Sequence, residues 1–191
     1  MAVAWRQRVT LELGGNAPFI VLDDADVDAA VRGCIVAKFR NAGQTCVAPD
    51  YVLCPKPRQE EFVTEITKAF AGMYPRLADN PDYTSIVNDR EYDRLTSWLE
   101  DAESKGAQLV PLNPAGEEFP SAGRKIPLTL VLGATDDMQV MQQEIFGPIL
   151  PVLTYESMDD ALEYVNSRPR PLALNYFDDD AAGRRRVIAE T

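Results

Sequence analysis

Short apolar runs and helical patterns alternate along the chain. The runs that predict buried strands span residues 19–22, 51–54, 108–112, 128–132, 149–154 and 172–177. Between them, apolar residues recur every three or four positions, which is typical of amphipathic helices. The clearest helical stripes are Val27, Val31, Cys34, Ile35 and Phe39; Phe62, Ile66, Phe70 and Met73; and Tyr92, Leu95, Leu99 and Ala102. Two more helices are expected near residues 157–166 and 181–190. This alternation predicts an α/β fold with a doubly wound, mostly parallel sheet and helices on both faces.

Local signals mark where some of these elements begin and end. Asn88, followed three residues later by Glu91, resembles a capping box at the start of a helix. Residues 113–127 contain three prolines and two glycines, and we expect them to form the one long loop. The last helical pattern stops at residues 189–191 without a glycine cap, so we expect the chain to be cut from a longer one.

Length and composition indicate a single globular domain. A chain of 191 residues can bury a sizeable core, and 46% hydrophobic with 26% charged residues is ordinary for a globular protein. No apolar run approaches the roughly 20 residues of a membrane span, and the first residues lack the layout of a leader peptide. We therefore expect one domain in the cytoplasm.

Charge and cysteine usage exclude several classes of partner. A net charge of −11 repels nucleic acid phosphates and anionic lipids. The three cysteines, at positions 34, 46 and 54, are too far apart to act as paired metal ligands, and the chain has no histidine to complete a zinc site. We expect reduced thiols and no nucleic acid, membrane or metal partner.

The stretch F-R-N-A-G-Q-T-C-V-A-P contains the cysteine with the most polar setting, Cys46. Most free cysteines behave as small buried hydrophobes, and that interpretation is open here. Alternatively, the turn-forming residues before it predict a loop or helix start, where backbone N–H groups favour a thiolate. Cys34 lies on a helical stripe and Cys54 ends a strand, so both are expected in the core.

Two other stretches carry polar residues beside glycine. In V-T-L-E-L-G-G-N-A-P, Glu12 stands between leucines, which would raise its pKa toward the range of a general base, although a solvent-facing strand glutamate fits the pattern as well. In Q-E-I-F-G-P, Glu144 precedes a rigid turn, and Phe146 could pack on a flat ligand or in the core.

Taken in order and spacing, these stretches resemble the aldehyde dehydrogenase superfamily. E-L-G-G is followed by F-x-x-x-G-Q-x-C, with Cys46 34 residues after Glu12, and then by E-I-F-G-P about a hundred residues later. The resemblance covers nearly the whole chain. G-Q-T-C-V-A-P-D-Y-V-L-C is most similar to the branch of class 3 fatty and aromatic aldehyde dehydrogenases and bacterial coniferyl aldehyde dehydrogenases.

The resemblance implies a mechanism that needs no histidine. Cys46 matches the nucleophile that attacks the aldehyde, and Glu12 matches the general base. Glu144 and Phe146 match residues that position the nicotinamide half of NAD or NADP. The implied reaction oxidises an aldehyde, with aromatic, coniferyl-type or fatty aldehydes as candidates, to a carboxylic acid, and the implied assembly is a homo-oligomer, a dimer for the full-length enzyme.

Two departures from the family pattern affect these expectations. Asn16 follows the two glycines where lysine is usual. Family members also carry a dinucleotide-binding domain, a second oxyanion donor and an oligomerisation arm outside this region, and no G-x-G-x-x-G occurs here. We therefore expect residues 1–191 to be a catalytic domain that is inactive alone. A non-catalytic relic or interaction module is the alternative, while a thiol hydrolase is disfavoured because no histidine is available.

Overall fold

The computed structural model describes residues 8, 10, 14–177 and 181–191. These residues form six strands and six α-helices, besides three short 3-10 helices, in the order β1 (Pro18–Val21), α1 (Val27–Phe39), β2 (Tyr51–Pro55), α2 (Gln59–Met73), α3 (Asp89–Ser104), β3 (Gln108–Pro111), β4 (Thr129–Leu132), α4 (Gln139–Gln142), β5 (Ile149–Tyr155), α5 (Met158–Asn166), β6 (Asn175–Phe177) and α6 (Ala181–Glu190). Glu12, one of the residues singled out above, lies outside the described residues.

The strands form one sheet in the order β3-β4-β5-β2-β1-β6. All neighbouring pairs are parallel except β3 and β4, which are antiparallel. The prediction of a mostly parallel α/β sheet is confirmed. The central strands read as continuous apolar runs because both of their faces are covered.

Two apolar clusters cover the two faces of the sheet. Phe19 and Val52 contribute to the cluster that includes α1 and α2. Their sequence neighbours Ile20 and Leu53 contribute to the cluster that includes α3, α4 and α5. Successive strand residues point to opposite faces, so each central strand contributes to both clusters. Helices on both faces were predicted and are confirmed.

Several boundaries differ from the sequence-based predictions. The last strand begins at Asn175 rather than residue 172, and the short helix α4 was not predicted. The connection 113–127 is not the one long loop, because α2 and α3 are joined by residues 74–88, which also lie outside helices and strands. Glycines and prolines were the only loop signals used, and this second connection has fewer of them.

The predicted capping box at the start of α3 is half formed. The Asn88 side chain accepts a hydrogen bond from the backbone N–H of Glu91 at 2.9 Å. The Glu91 carboxylate, however, pairs with Arg90 and Arg94. A full capping box occurs instead at α5, where Ser157 and Asp160 bond reciprocally.

No helix in the described part of the chain is long and apolar enough to cross a membrane.

Candidate active site

Each of the three motif segments lies immediately before one of three adjacent strands. They meet at the end of the sheet where these strands begin, which we call the amino edge. Residues 14–17 precede β1, residues 44–50 precede β2, and residues 143–148 precede β5. Because β5, β2 and β1 are parallel neighbours, their amino ends lie side by side. Topology alone therefore brings together segments that are up to about 130 residues apart in sequence.

Cys46 lies in a turn at this edge and is half-buried. The turn is closed by a hydrogen bond from Ala48 N to Thr45 O at 3.1 Å, and the chain then enters β2 rather than a helix. The loop placement was predicted, but the alternative of a helix start is wrong. Both other cysteines are fully buried, as predicted, and burial raises the pKa of each of these thiols, Cys34 and Cys54, to about 12.

A left-handed turn precedes the cysteine. Asn41, Ala42 and Gly43 have φ values of 57°, 54° and 76°. Only glycine adopts this region without a steric cost, and for alanine the cost is on the order of 1 kcal/mol. Gln44 helps to hold the turn, since its amide nitrogen donates to Asn41 O at 3.0 Å.

Gln44 also ties the cysteine loop to the connection between α2 and α3. Its Nε2 donates to Ser85 O at 3.2 Å, and its Oε1 accepts from Val87 N at 2.9 Å. The side chain is nearly buried, and both ends of its amide are satisfied by backbone. The motif glutamine therefore acts as a structural bridge that fixes the loop.

Two glycines allow the segments to touch. A Cβ atom on Gly43 would lie 2.3 Å from Gly147 O, so the cysteine loop and the E-I-F-G-P segment meet backbone to backbone. A Cβ atom on Gly14 would lie 2.2 Å from Glu144 Oε2. The first glycine of the E-L-G-G segment thus leaves room for the Glu144 carboxylate.

Hydrogen bonds link the segment before β1 to the other two. Asn16 Nδ2 donates to Gln143 O at 2.9 Å, so the asparagine that departs from the family pattern has a defined role in joining two motif segments. Asp50 N donates to Ala17 O at 2.8 Å. Asp50 Oδ1 in turn accepts from Ile145 N at 3.1 Å.

Phe146 is exposed rather than packed in the core. Its side chain is 41% exposed, and its φ of 51° lies in the left-handed region. The neighbouring Ile145 is fully buried and anchors the segment in the core. The turn thus presents an aromatic face at the edge where the Glu144 carboxylate also lies.

A buried pair of opposite charges lies beneath the edge. Lys38 is 0% exposed and Asp50 is 2% exposed, and neither Lys38 Nζ nor Asp50 Oδ2 has a hydrogen-bond partner among the described residues. Burial lowers the pKa of Lys38 to about 8, against the opposing field of Asp50. Burial raises the pKa of Asp50 to about 6, against the opposing field of Lys38. The field of each group thus favours the charged form of the other, against the effect of burial.

Sequence reasoning missed several residues that shape this edge, namely Lys38, Asp50 and Arg94, and it used Gln44 only as a motif letter. The burial of Lys38 could have been predicted, because it lies four residues after Cys34 and seven after Val31 on the buried stripe of α1. The role of Arg94 could not have been predicted, since an arginine on an amphipathic helix usually faces solvent.

A separate cleft of about 550 Å³ lies near the carboxyl ends of β4 and β5. Its lining includes Gly133, Asp136 and Tyr164, and no residue of the three motif segments. Ligands of open α/β sheets commonly bind at the carboxyl edge. Here the nucleophile candidate and its neighbours lie at the amino edge, so we place the candidate site there. The described residues contain no cluster of carboxylates and cysteines suited to a metal ion.

Comparison with known proteins identifies the family of the chain. The sequence profile of the "Aldehyde dehydrogenase family" matches residues 2–190. The chain is 55% identical over 183 residues to a "Probable coniferyl aldehyde dehydrogenase" of Pseudomonas aeruginosa, covering 96% of this chain and 37% of that protein. It is 38% identical over 184 residues to the mouse "Aldehyde dehydrogenase, dimeric NADP-preferring", covering 96% of this chain and 39% of that protein.

A solved structure is similar in fold as well. The substrate-bound state of Staphylococcus aureus AldH superposes with a TM-score of 0.85 at 40% identity, covering 94% of this chain and 38% of that chain. The chain belongs to the aldehyde dehydrogenase family. It spans somewhat more than a third of the length of the curated relatives described here.

Proposed function

We propose that the chain is the catalytic-domain portion of an NAD(P)-dependent aldehyde dehydrogenase that oxidises an aldehyde to a carboxylic acid. The observation that carries the proposal is the convergence of three motif segments at one edge of the sheet, with Cys46 in a fixed turn. The similarity to a probable coniferyl aldehyde dehydrogenase favours an aromatic, coniferyl-type aldehyde as substrate.

In this proposal Cys46 is the nucleophile. Its thiolate adds to the carbonyl carbon of the aldehyde and forms a thiohemiacetal, whose oxyanion the backbone N–H of Cys46 helps to stabilise. Loss of hydride from that carbon leaves a thioester on Cys46. Glu12, which we assign as the general base, takes a proton from water as the water oxygen attacks the thioester. The proton then passes to the departing Cys46 thiolate, which releases the acid and restores the thiol and the Glu12 carboxylate.

The residues of the E-I-F-G-P segment fit a nicotinamide dinucleotide. Glu144 offers a carboxylate that can accept hydrogen bonds from ribose hydroxyls, and Phe146 offers an exposed aromatic face against which the nicotinamide half can pack. When bound, NAD or NADP would accept the hydride. The preference of the mouse relative for NADP makes either coenzyme a candidate here.

We further propose that residues 1–191 act as one part of a larger enzyme. The matched relatives are more than twice as long, and the chain contains no glycine-rich phosphate-binding fingerprint. The isolated chain is expected to bind NAD(P) weakly and not to turn over. The full-length protein is expected to be a homo-oligomer, since the mouse relative is described as dimeric.

The first test compares the three cysteines by brief alkylation with iodoacetamide and mass spectrometry. Cys46 is expected to react at least about a hundredfold faster than Cys34 and Cys54, because both of these are buried and have strongly raised pKa values. First modification of either buried cysteine would contradict the choice of nucleophile.

The second test addresses turnover and uses a chimaera in which this chain replaces the matching segment of the P. aeruginosa relative. Cys46→Ala is expected to abolish oxidation of coniferyl aldehyde. Glu12→Gln keeps the size of the side chain but removes the base, so it is expected to give a burst of about one equivalent of NAD(P)H. Steady turnover should then be slower by a factor of roughly 10² to 10⁴. Turnover by Cys46→Ala at the parent rate would contradict the choice of Cys46 as nucleophile. A parent chimaera without turnover would favour the alternative of a non-catalytic module.

A further inference from the structure

The peptide groups on both sides of Ile145 are held by charged side chains. On one side Asp50 Oδ1 accepts from Ile145 N at 3.1 Å. On the other side Arg94 Nη2 donates to Ile145 O at 2.7 Å. Ile145 stands between Glu144 and Phe146, and its own side chain is fully buried. Both bonds have a charged partner and are therefore stronger than bonds between neutral groups.

Arg94 is itself rigidly held. Its Nε donates to Glu91 Oε2 at 2.6 Å, one turn earlier on α3. Its guanidinium carbon lies 4.2 Å from the centre of the Trp98 ring, one turn later. Contacts on both sides fix the planar group, so little side-chain entropy is lost when it binds the carbonyl. The orientation of the segment is thus coupled to α3.

Asp50 is held from the opposite direction. Its backbone N–H is bonded to Ala17 O, and it lies four residues after Cys46, immediately before β2. The buried ammonium of Lys38 favours the ionised carboxylate that accepts from Ile145 N. The two hydrogen bonds to Ile145 therefore come from different parts of the fold, the end of the cysteine loop and a helix on one face of the sheet.

The segment from Glu144 to Phe146 is strained, so it needs these contacts to keep its conformation. Phe146 has a φ of 51°, and a non-glycine residue in the left-handed region costs on the order of 1 kcal/mol or more. A residue remains in such a conformation only where its surroundings over-determine it. Release of the carbonyl of Ile145 would allow the next residue to relax toward negative φ, and the aromatic ring would turn with it.

We infer that Arg94 and Asp50 are positioning residues that clamp Ile145 and thereby fix Glu144 and Phe146 for coenzyme binding. This inference rests on the proposed function for its catalytic consequence, but the clamp can be tested without any turnover. Arg94 is the better probe, because Asp50 also contacts the segment before β1 and balances the charge of Lys38.

The structural test uses the 191-residue chain and amide hydrogen exchange. Arg94→Met keeps a flexible apolar stem to pack on Trp98 but removes the donors to Ile145 O. The amide of Ile145, which donates to Asp50, is expected to exchange about ten to a hundred times faster, which corresponds to the loss of a charge-assisted hydrogen bond. Arg94→Lys, which keeps the charge and one donor, should restore part of the protection.

Arg90→Met is the matched control. Arg90 is on the same helix, pairs with the same Glu91 and is 87% exposed, but its side-chain partner is Glu91 alone among the hydrogen bonds found in the described residues. Its replacement should leave exchange at Ile145 unchanged. Equal exchange in Arg94→Met and Arg90→Met would overturn the clamp. If Arg94→Met unfolds globally, the amides of β2 will also lose their protection. The exchange rates of Ile145 in Arg94→Lys and Arg90→Met then provide the decisive comparison.

The catalytic test uses the chimaera and separates coenzyme binding from the chemistry of the cysteine. For Arg94→Met the KM for NAD(P) should rise about ten- to a hundredfold. Hydrolysis of p-nitrophenyl acetate should stay within about twofold of the parent, because an ester can acylate the cysteine without a hydride acceptor.

An unchanged KM for the coenzyme in an active chimaera would overturn the positioning role and leave the proposed function intact. A parent chimaera that neither oxidises aldehydes nor hydrolyses the ester would instead contradict the proposed function. The exchange experiment would then decide on the clamp alone.

Discussion

On the two faces of the sheet, buried positions are apolar and regular, and at its amino edge they are neither. The stripes of α1 and α3 pack on strand residues that alternate between two apolar clusters. At the edge, three consecutive residues before Cys46 have positive φ, Phe146 does as well, and Lys38 and Asp50 are buried as charges.

The difference indicates that the two faces of the sheet stabilise the fold and that the amino edge destabilises it. Burial of apolar side chains on the faces stabilises the fold by roughly 25 cal/mol per Å². Left-handed alanine, left-handed phenylalanine and a buried charge pair each lower the free energy of unfolding. Such costs concentrate at functional sites, where geometry matters more than stability. The following predictions test this division, beginning with the largest expected effect.

Lys38→Met is expected to lower the free energy of unfolding by about 3–5 kcal/mol, since it leaves the Asp50 carboxylate buried without its counter-charge. The double variant Lys38→Met, Asp50→Asn removes both charges, and its stability should lie much closer to that of the parent. Urea denaturation of the three proteins measures both effects. A single variant as stable as the double variant would show that the charges are not coupled.

The same pair predicts a pH dependence that the double variant should lack. The pKa of Asp50 is raised to about 6 in the folded protein, so the stability linked to this group is full below its ordinary value of 3.8 and is lost as the pH rises through 6. The pKa of Lys38 is lowered to about 8, so its contribution is full above 10.5 and is lost as the pH falls through 8. The stability of the parent relative to the double variant should therefore be lowest between pH 6 and 8. A flat difference from pH 4 to pH 10 would contradict it.

Gly43→Ala is expected to destabilise the chain by about 2–4 kcal/mol, because it adds left-handed strain and a clash with a backbone oxygen. Gly147→Ala is the matched control. The atoms nearest to its new methyl group belong to the side chain of Leu95, which is fully buried and would have to shift. Because no left-handed strain is added, the cost should be smaller, about 1–2 kcal/mol. Thermal or urea denaturation gives the comparison, and a reversed order would mean that the two loops can separate freely.

Gly72→Ala should give the smallest effect and the opposite sign. Gly72 is an exposed residue in the last turn of α2, outside the three motif segments, and a Cβ atom there would meet nothing within 4 Å. Alanine should stabilise the helix by up to about 1 kcal/mol, since it restricts the unfolded chain and favours the helix. Urea denaturation checks the gain, and a loss of stability would show that α2 is strained as well.

Most of the fold was predictable from periodicity. The stripe beginning at Val27 predicted the bounds of α1, and the apolar runs located all six strands, because burial on two faces leaves a clear pattern. The short α4 was not predicted, since four residues are too few to show a helical period. The long connection 74–88 was missed because its loop signals are weak.

Less of the candidate site was predictable, and for physical reasons. The types and order of Cys46, Glu144 and Phe146 identified the family, but no local pattern shows which strands are neighbours. The left-handed Ala42 contradicts the preference of its residue type, and Lys38 contradicts the rule that lysine faces water. Such positions depend on contacts made by distant segments, and the catalytic roles assigned to the site remain predictions.

The strand order β5-β2-β1 has a consequence for how the protein is made. During synthesis, β1 and β2 are available to pair about a hundred residues before β5 has been made. Until then, Gly43 has no Gly147 to contact, and the carboxylate of Asp50 lacks the amide of Ile145. The cysteine loop therefore reaches its final geometry only when a late strand inserts beside β2, so a ribosome-bound nascent chain that ends before residue 149 carries Cys46 in a loop that lacks part of its support.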